Sequence, residues 1–228
     1  PVYPQNNYLY VFTDDSTDPR IIDTKKIVNC IEIYKENVLL GCKDGTIGVF
    51  NIQNQNPQYK EIHKNSVNCI AIQNNGVATS GDDKGYICRW MIDPFIDLKN
   101  AFDLINKNYE RKALFSLIHY TGNDNAQYLI AAGSGDLYLI KDISERPKIF
   151  RVLFLTHKKK ISSLIILNGR YLLSGSNDSL IKMWDLDKIF TPRPEQDDYE
   201  SKLIDVANIL LKSANGDYLI FASTYQSE

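Results

Sequence analysis

The stretch from Leu172 to Asp187 reads LLSGSNDSLIKMWDLD. Two short apolar runs flank a centre of Gly, Ser, Asn and Asp. Leu173 and the run from Leu180 to Trp184 alternate as strands of a half-buried sheet do, and the GSNDS centre supplies turn chemistry. Alone, the stretch is a hairpin. Recurrence at a fixed period of tens of residues would make it one unit of a repeat and change the fold reading.

It does recur. Ser80 to Trp90 reads SGDDKGYICRW and Ser174 to Trp184 reads SGSNDSLIKMW, with the same interval from Ser to Trp. His63 precedes Ser80 by as much as His157 precedes Ser174. A third copy, LGCKDGTIGVF from Leu40 to Phe50, keeps an Asp44-Gly45 turn but has Leu in place of the Ser and Phe in place of the Trp. Apolar runs precede each turn: VNCIEI from Val28, VNCIAI from Val67, LFSLIH from Leu114, ISSLII from Ile161 and VANILL from Val206. Their spacing of roughly 40 to 47 residues defines five units.

On these residues the chain resembles the WD-repeat (tryptophan-aspartate) β-propeller family, whose repeats of about 40 to 45 residues each build a four-stranded blade. The resemblance runs over most of residues 25 to 225. It implies a buried hydrogen-bonded set of His63, Ser80 and Trp90 in one blade, and of His157, Ser174, Asp178 and Trp184 in another, with Asp185 ending the motif. Such a network is favourable only when every member is satisfied. The copies depart from the pattern in places. The second has Lys84 at the turn-Asp position and Met91 at the final Asp; the first has Asp23 or Thr24 where His would stand; the Leu114 unit keeps Asp136 and lacks the Trp.

The expected fold is therefore all-β, a WD-repeat β-propeller occupying 1–228 as one domain. Residues 25–60, 61–110, 111–153 and 154–200 would each be a blade. Residues 201–228 would supply the first strands of a last blade that 1–24 completes, because ring closure removes sheet edges that invite aggregation. Five blades are visible, so the ring is either a small closed one or a trimmed form of the family's usual seven. Two segments stand outside the repeat. In 92–112, Leu98, Phe102, Ile105 and Tyr109 fall at helical spacing, so this is either an inserted helix that docks a partner or an outer strand followed by a packed loop. TPRPEQDDYES, Thr191 to Ser201, has the composition of a solvated linker.

Net charge is −2, and 43% of residues are apolar and 11% aromatic. This is the composition of an ordinary soluble protein and points away from a dedicated nucleic-acid or membrane binder. No run approaches the ~20 apolar residues of a membrane span, and Pro1 opens no signal-peptide pattern. Cys30, Cys42, Cys69 and Cys88 form no CxxC pair; they read as buried thiols in a reducing compartment, cytoplasmic or nuclear, with no metal site. No GxSxG, P-loop or HExxH motif occurs. AAGSGD sits at a repeat turn with no helix pattern after it, and His119 has no nucleophile signature near it. Neither an enzyme, a cofactor nor a small-molecule substrate is expected.

Binding remains. By the resemblance, partners dock on the face carrying the turns and the loops that lead into each first strand. The candidates are Lys43, Asp83 and Asn177 before the turn-Asp position, and Lys64, Asn65, Lys158 and Lys160 after the His position. The expected function is a non-catalytic WD-repeat scaffold for protein-protein interaction in a multiprotein assembly, taking polar or acidic peptide segments on one face of the ring. The alternative is a propeller component of a ribonucleoprotein or ribosome-assembly particle that contacts RNA through its lysines.

Overall fold

The computed structural model describes residues 2–5, 7–11, 18–51, 53, 57–97, 102–103, 113–122, 125–141, 148–153, 156–190 and 204–205. They form five antiparallel sheets in chain order. The first holds β1 (Val2–Gln5), β2 (Tyr8–Val11) and β3 (Arg20–Asp23); the second holds β4 (Val28–Tyr34), β5 (Asn37–Cys42), β6 (Thr46–Asn51) and β7 (Gln58–Glu61). The third holds β8 (Val67–Ile72), β9 (Val77–Asp82) and β10 (Tyr86–Met91), with two short outer pieces, β11 (Ile96–Asp97) and β12 (Phe102–Asp103). The fourth holds β13 (Ser116–Thr121), β14 (Gln127–Ala132), β15 (Leu137–Lys141) and β16 (Lys148–Leu153). The fifth holds β17 (Ile161–Leu167), β18 (Tyr171–Ser176), β19 (Ile181–Asp185) and β20 (Ile204–Asp205), with α1 (Leu186–Phe190) after β19.

Each sheet packs face to face on its neighbours, and the first strands β4, β8, β13 and β17 stand side by side in that order. Four apolar clusters fill the gaps. Period-two alternation divides a middle strand between two of them: in β5, Val38, Leu40 and Cys42 face the first sheet while Leu39 faces the third. Such strands read as continuous apolar runs because both faces are buried. β19 keeps the half-buried alternation expected over Leu180 to Trp184, whereas β5, β9 and β14 are buried almost throughout.

The expected closed β-propeller is corrected by the strand pairing. The N-terminal strands β1, β2 and β3 pair only with one another, and β20 pairs with β19 as the outer strand of the fifth sheet. Among the described residues no pairing joins the first sheet to the fifth, so the sheets form an open series and not a ring. Residues 1–24 carry β1, β2 and β3; of 201–228, expected to begin the blade they complete, only 204–205 are described. The WD-repeat scaffold that binds on one face of a ring, and the propeller of a ribonucleoprotein particle, both fall with the ring they required. In the 92–112 segment, β11 and β12 pair with the two ends of β10. Phe102 thus lies in a strand and not in a docking helix; Leu98, Ile105 and Tyr109 lie outside the described residues, as do Val206 and all of Thr191 to Ser201.

Two buried polar chains lock the third and fifth sheets. In the fifth, Trp184 Nε1 donates to Ser174 Oγ at 3.0 Å, Ser174 Oγ lies 2.8 Å from His157 Nε2, and His157 Nδ1 lies 3.0 Å from the Asp178 carboxylate. Indole N–H can only donate. The serine must accept it and pass its own proton to Nε2, which leaves Nδ1–H for Asp178 and satisfies every member with a neutral ring. Trp90, Ser80 and His63 repeat the chain at 3.2 and 2.7 Å. Its carboxylate is Asp82, 3.4 Å from His63 Nδ1, so Lys84 is not a lost turn acid; the acid sits two residues earlier. Asp82 also accepts the amides of Lys84 and Tyr86. The two histidine amides reach back one sheet, His63 N to Gly45 O and His157 N to Gly135 O, both at 3.0 Å; Thr24, at the missing-His position, does the same to Asn7 O at 2.7 Å.

Burial lowers the proton affinity of His157, with Asp178 only partly opposing it. It lowers that of His119 to about 4, helped by the Arg89 charge. Burial alone would raise Asp178, but the Lys158 amide, the His157 ring and the Leu180 amide together hold it below the carboxylate norm. All three groups bind protons more tightly when unfolded, so their stabilisation is complete above the unfolded histidine value of about 6.5 and is lost as pH falls. Urea unfolding should show stability level above about pH 7 and declining below about 6.5. His157→Asn should cost about 1–3 kcal/mol at pH 7 and flatten that decline. An unchanged slope in the variant would contradict the assignment.

Candidate interaction hollow

Three of the first strands, β4, β8 and β17, share a defect that builds the site. In β4 the register steps from Val28↔Cys42 to Cys30↔Gly41, leaving Asn29 unpaired, and in β8 it steps from Val67↔Asp82 to Cys69↔Gly81, leaving Asn68 unpaired. β17 repeats the step around Ser162. A bulge turns its extra residue off the sheet normal. Asn29 Nδ2 thereby reaches forward to Ser66 Oγ at 2.7 Å and Val67 O at 3.1 Å, and Asn68 Nδ2 reaches Leu114 O at 3.1 Å.

These residues line a hollow of about 480 Å³. Ile27, Asn29 and Lys43 come from the second sheet, and Ser66 and Asn68 from the third; Phe115 from the fourth and Lys160 from the fifth complete it. Backbone bonds fix the turn beside each bulge: Lys43 N donates to Ile27 O, Asp83 N to Ser66 O and Asn177 N to Lys160 O. The Lys160 ammonium stands 3.9 Å from the centre of the Phe115 ring, a cation–π contact across two sheets. Asp44, next to Lys43, is occupied by Lys26 and by the amide and hydroxyl of Thr46. Burial raises its proton affinity, but the Lys26 and Thr46 bonds outweigh that and hold its carboxyl below the usual range.

Of the residues singled out by sequence, Lys43 and Lys160 share this hollow. Lys64 and Lys158 are exposed but do not line it, and the Lys158 amide caps Asp178 at 2.9 Å. Asn65 is half-buried and bonds Asp82 at 3.2 Å, which makes it part of the polar chain of the third sheet. Asp83 and Asn177 stand at the rim through their backbone bonds. His63, Ser80, Trp90, His157, Ser174, Asp178 and Trp184 lie in the two buried chains and are closed to a ligand. Sequence reasoning missed Ile27, Asn29, Ser66, Asn68 and Phe115. The repeated VNCI was the available signal, since its Asn is the bulge residue in both copies.

A second groove, of about 410 Å³, crosses the first strands and is lined by Glu32, Ile33, Gln73, His119 and Leu164 among others. His119 Nδ1 lies 3.3 Å from Gln73 Nε2. Among the described residues no three His, Cys, Asp or Glu side chains gather as a metal site, and no helix is long and apolar enough to cross a membrane.

A profile of the family described as WD domain, G-beta repeat matches residues 149–185. This spans β17, β18, β19 and most of β16, so the resemblance expected over residues 25 to 225 is corrected to one repeat. No curated protein matches the chain. Among solved structures, a chain in the crystal structure of the mitotic checkpoint complex is similar at 16% identity and a TM-score of 0.65, over 82% of this chain and 59% of that one. The computationally designed Ika8 protein is similar at 17% identity and a TM-score of 0.55, over 81% and 57%. The designed Ika4 protein is similar at 18% identity and a TM-score of 0.52, over 71% and 92%. At these identities the likeness is one of fold. The chain spans less than two thirds of the length of the first two.

The turn that carries Lys43 depends on Gly45, whose φ of +88° is left-handed and whose added Cβ would lie 2.3 Å from the His63 carbonyl oxygen. Gly169 has φ +65° with nothing within 4 Å of its Cβ. Both substitutions to Ala pay the left-handed penalty of about 1–2 kcal/mol, and only Gly45→Ala adds a backbone clash. Urea midpoints should fall further for Gly45→Ala; equal losses would contradict the packing.

Proposed function

We propose that this chain is a non-catalytic protein-interaction module, an open series of β-sheets that presents the hollow between Asn29 and Lys160 to a partner protein. The observation that carries this reading is convergence: side chains from four successive sheets meet there, each fixed by a bulge, a turn or a ring contact. Loops and bulges held on rigid strands are where recognition concentrates. Lys43 and Lys160 are the contact residues favoured by position, with Ser66, Asn68 and Phe115 as the wall. Buried free thiols at Cys42, Cys69 and Cys88 support a reducing compartment, cytoplasmic or nuclear. Their accompanying partners would be other proteins of a larger assembly and not small-molecule substrates.

A photo-crosslinking amino acid at Phe115, used in native extract treated with nuclease, tests this. The expected result is a discrete protein adduct that Ser66→Trp, which fills the hollow, removes, and that Lys188→Trp on α1 leaves in place. Adducts indifferent to Ser66→Trp, or lost on nuclease treatment, would overturn the reading.

A further inference from the structure

We propose that the hollow receives a phosphoryl group carried on a side chain of the partner; this rests on the interaction reading above and goes beyond it. The lining of the hollow holds hydrogen-bonding capacity that the chain itself leaves unused. None of the seven lining residues is acidic. Asn29 spends both amide protons on Ser66 Oγ and Val67 O. Asn68 spends one proton on Leu114 O and keeps the other. Ser66 Oγ accepts from Asn29, so its hydroxyl proton remains to be given. Lys43 and Lys160 add two ammonium groups, the second oriented by the Phe115 ring.

What remains is a set of donors from three sheets around one cavity. A carboxylate offers two oxygens in a plane. A phosphoryl group offers three strong acceptors in a tetrahedral array and up to two negative charges, which suits donors arriving from several directions. The nearest turn carboxylate, Asp44, is held by Lys26 and Thr46 and so does not compete for Lys43. Asp83 meets the hollow only through its amide, bonded to Ser66 O, and does not line it. A phosphorylated peptide fits better than RNA: the chain carries a net charge of −2, and two lysines at one hollow are not the extended basic track that a run of phosphates requires.

The test measures binding of the full chain to a degenerate phosphoserine/phosphothreonine peptide library, the same library after phosphatase, inorganic phosphate, and a single-stranded RNA oligonucleotide. The expected result is retention of the phosphorylated library at least about 10-fold above the dephosphorylated one, with inorganic phosphate as a competitor. Lys43→Ala and Lys160→Ala should each reduce that preference, and Lys64→Ala, exposed but outside the hollow, should leave it. Both lysines are exposed, so circular dichroism of the variants should match the parent chain. Equal retention of both libraries, or none of either, overturns the phosphoryl assignment. The interaction reading survives that outcome if the Phe115 adduct still depends on Ser66. RNA bound as tightly as the peptides, with a steep loss on adding salt, overturns the assignment in favour of nucleic acid.

Discussion

The bulge at the start of β4, β8 and β17 is the constraint on which the rest of the structure depends. A regular strand would pair every residue with its own sheet and leave adjoining sheets to meet through apolar side chains alone. Shifting the register by one frees Asn29 and Asn68, and each then bonds a carbonyl of the next sheet. The histidine and threonine amides make the complementary tie back to the preceding turn. Directional bonds at these places fix how far each sheet turns from its neighbour, which apolar packing by itself specifies poorly. The same bulges bring the lining of the hollow together, so the stacking geometry and the candidate site have one origin.

Much of this local construction was legible. The common interval from His to Ser to Trp carried the resemblance, and the resemblance implied both buried polar chains, which the hydrogen bonds show. Lys43 and Lys160, named from the resemblance, line one hollow. Other parts were hidden for physical reasons. Asp82 was passed over because the turn holds two adjacent acids, and only the three-dimensional path of the strand end decides which carboxylate faces His63. Phe115 was missed because its role comes from Lys160, distant in sequence and adjacent in space. The outer pieces β11 and β12 were ambiguous because apolar residues in a short stretch fit both a helical and an extended period.

Ring closure was the larger misreading, and its cause is instructive. A repeat period determines what each unit is and how it meets the next, since those contacts recur. It does not determine how many units there are or whether the last meets the first. Among the described residues the main strand packing joins each sheet to the next, as in a one-dimensional series. Function placed on the face of a ring therefore had to be replaced by function placed where adjacent units meet.

The most direct test of this account is amide hydrogen exchange on the chain alone and in complex with the protein it captures. The account predicts that binding slows exchange at the bulges and turns around the hollow, in residues 27–29, 43–45, 66–68 and 114–116, while the opposite turns at 35–36, 74–76 and 168–170 are unchanged. Protection confined to those opposite turns would contradict it, because the partner would then ignore the hollow that the bulges build.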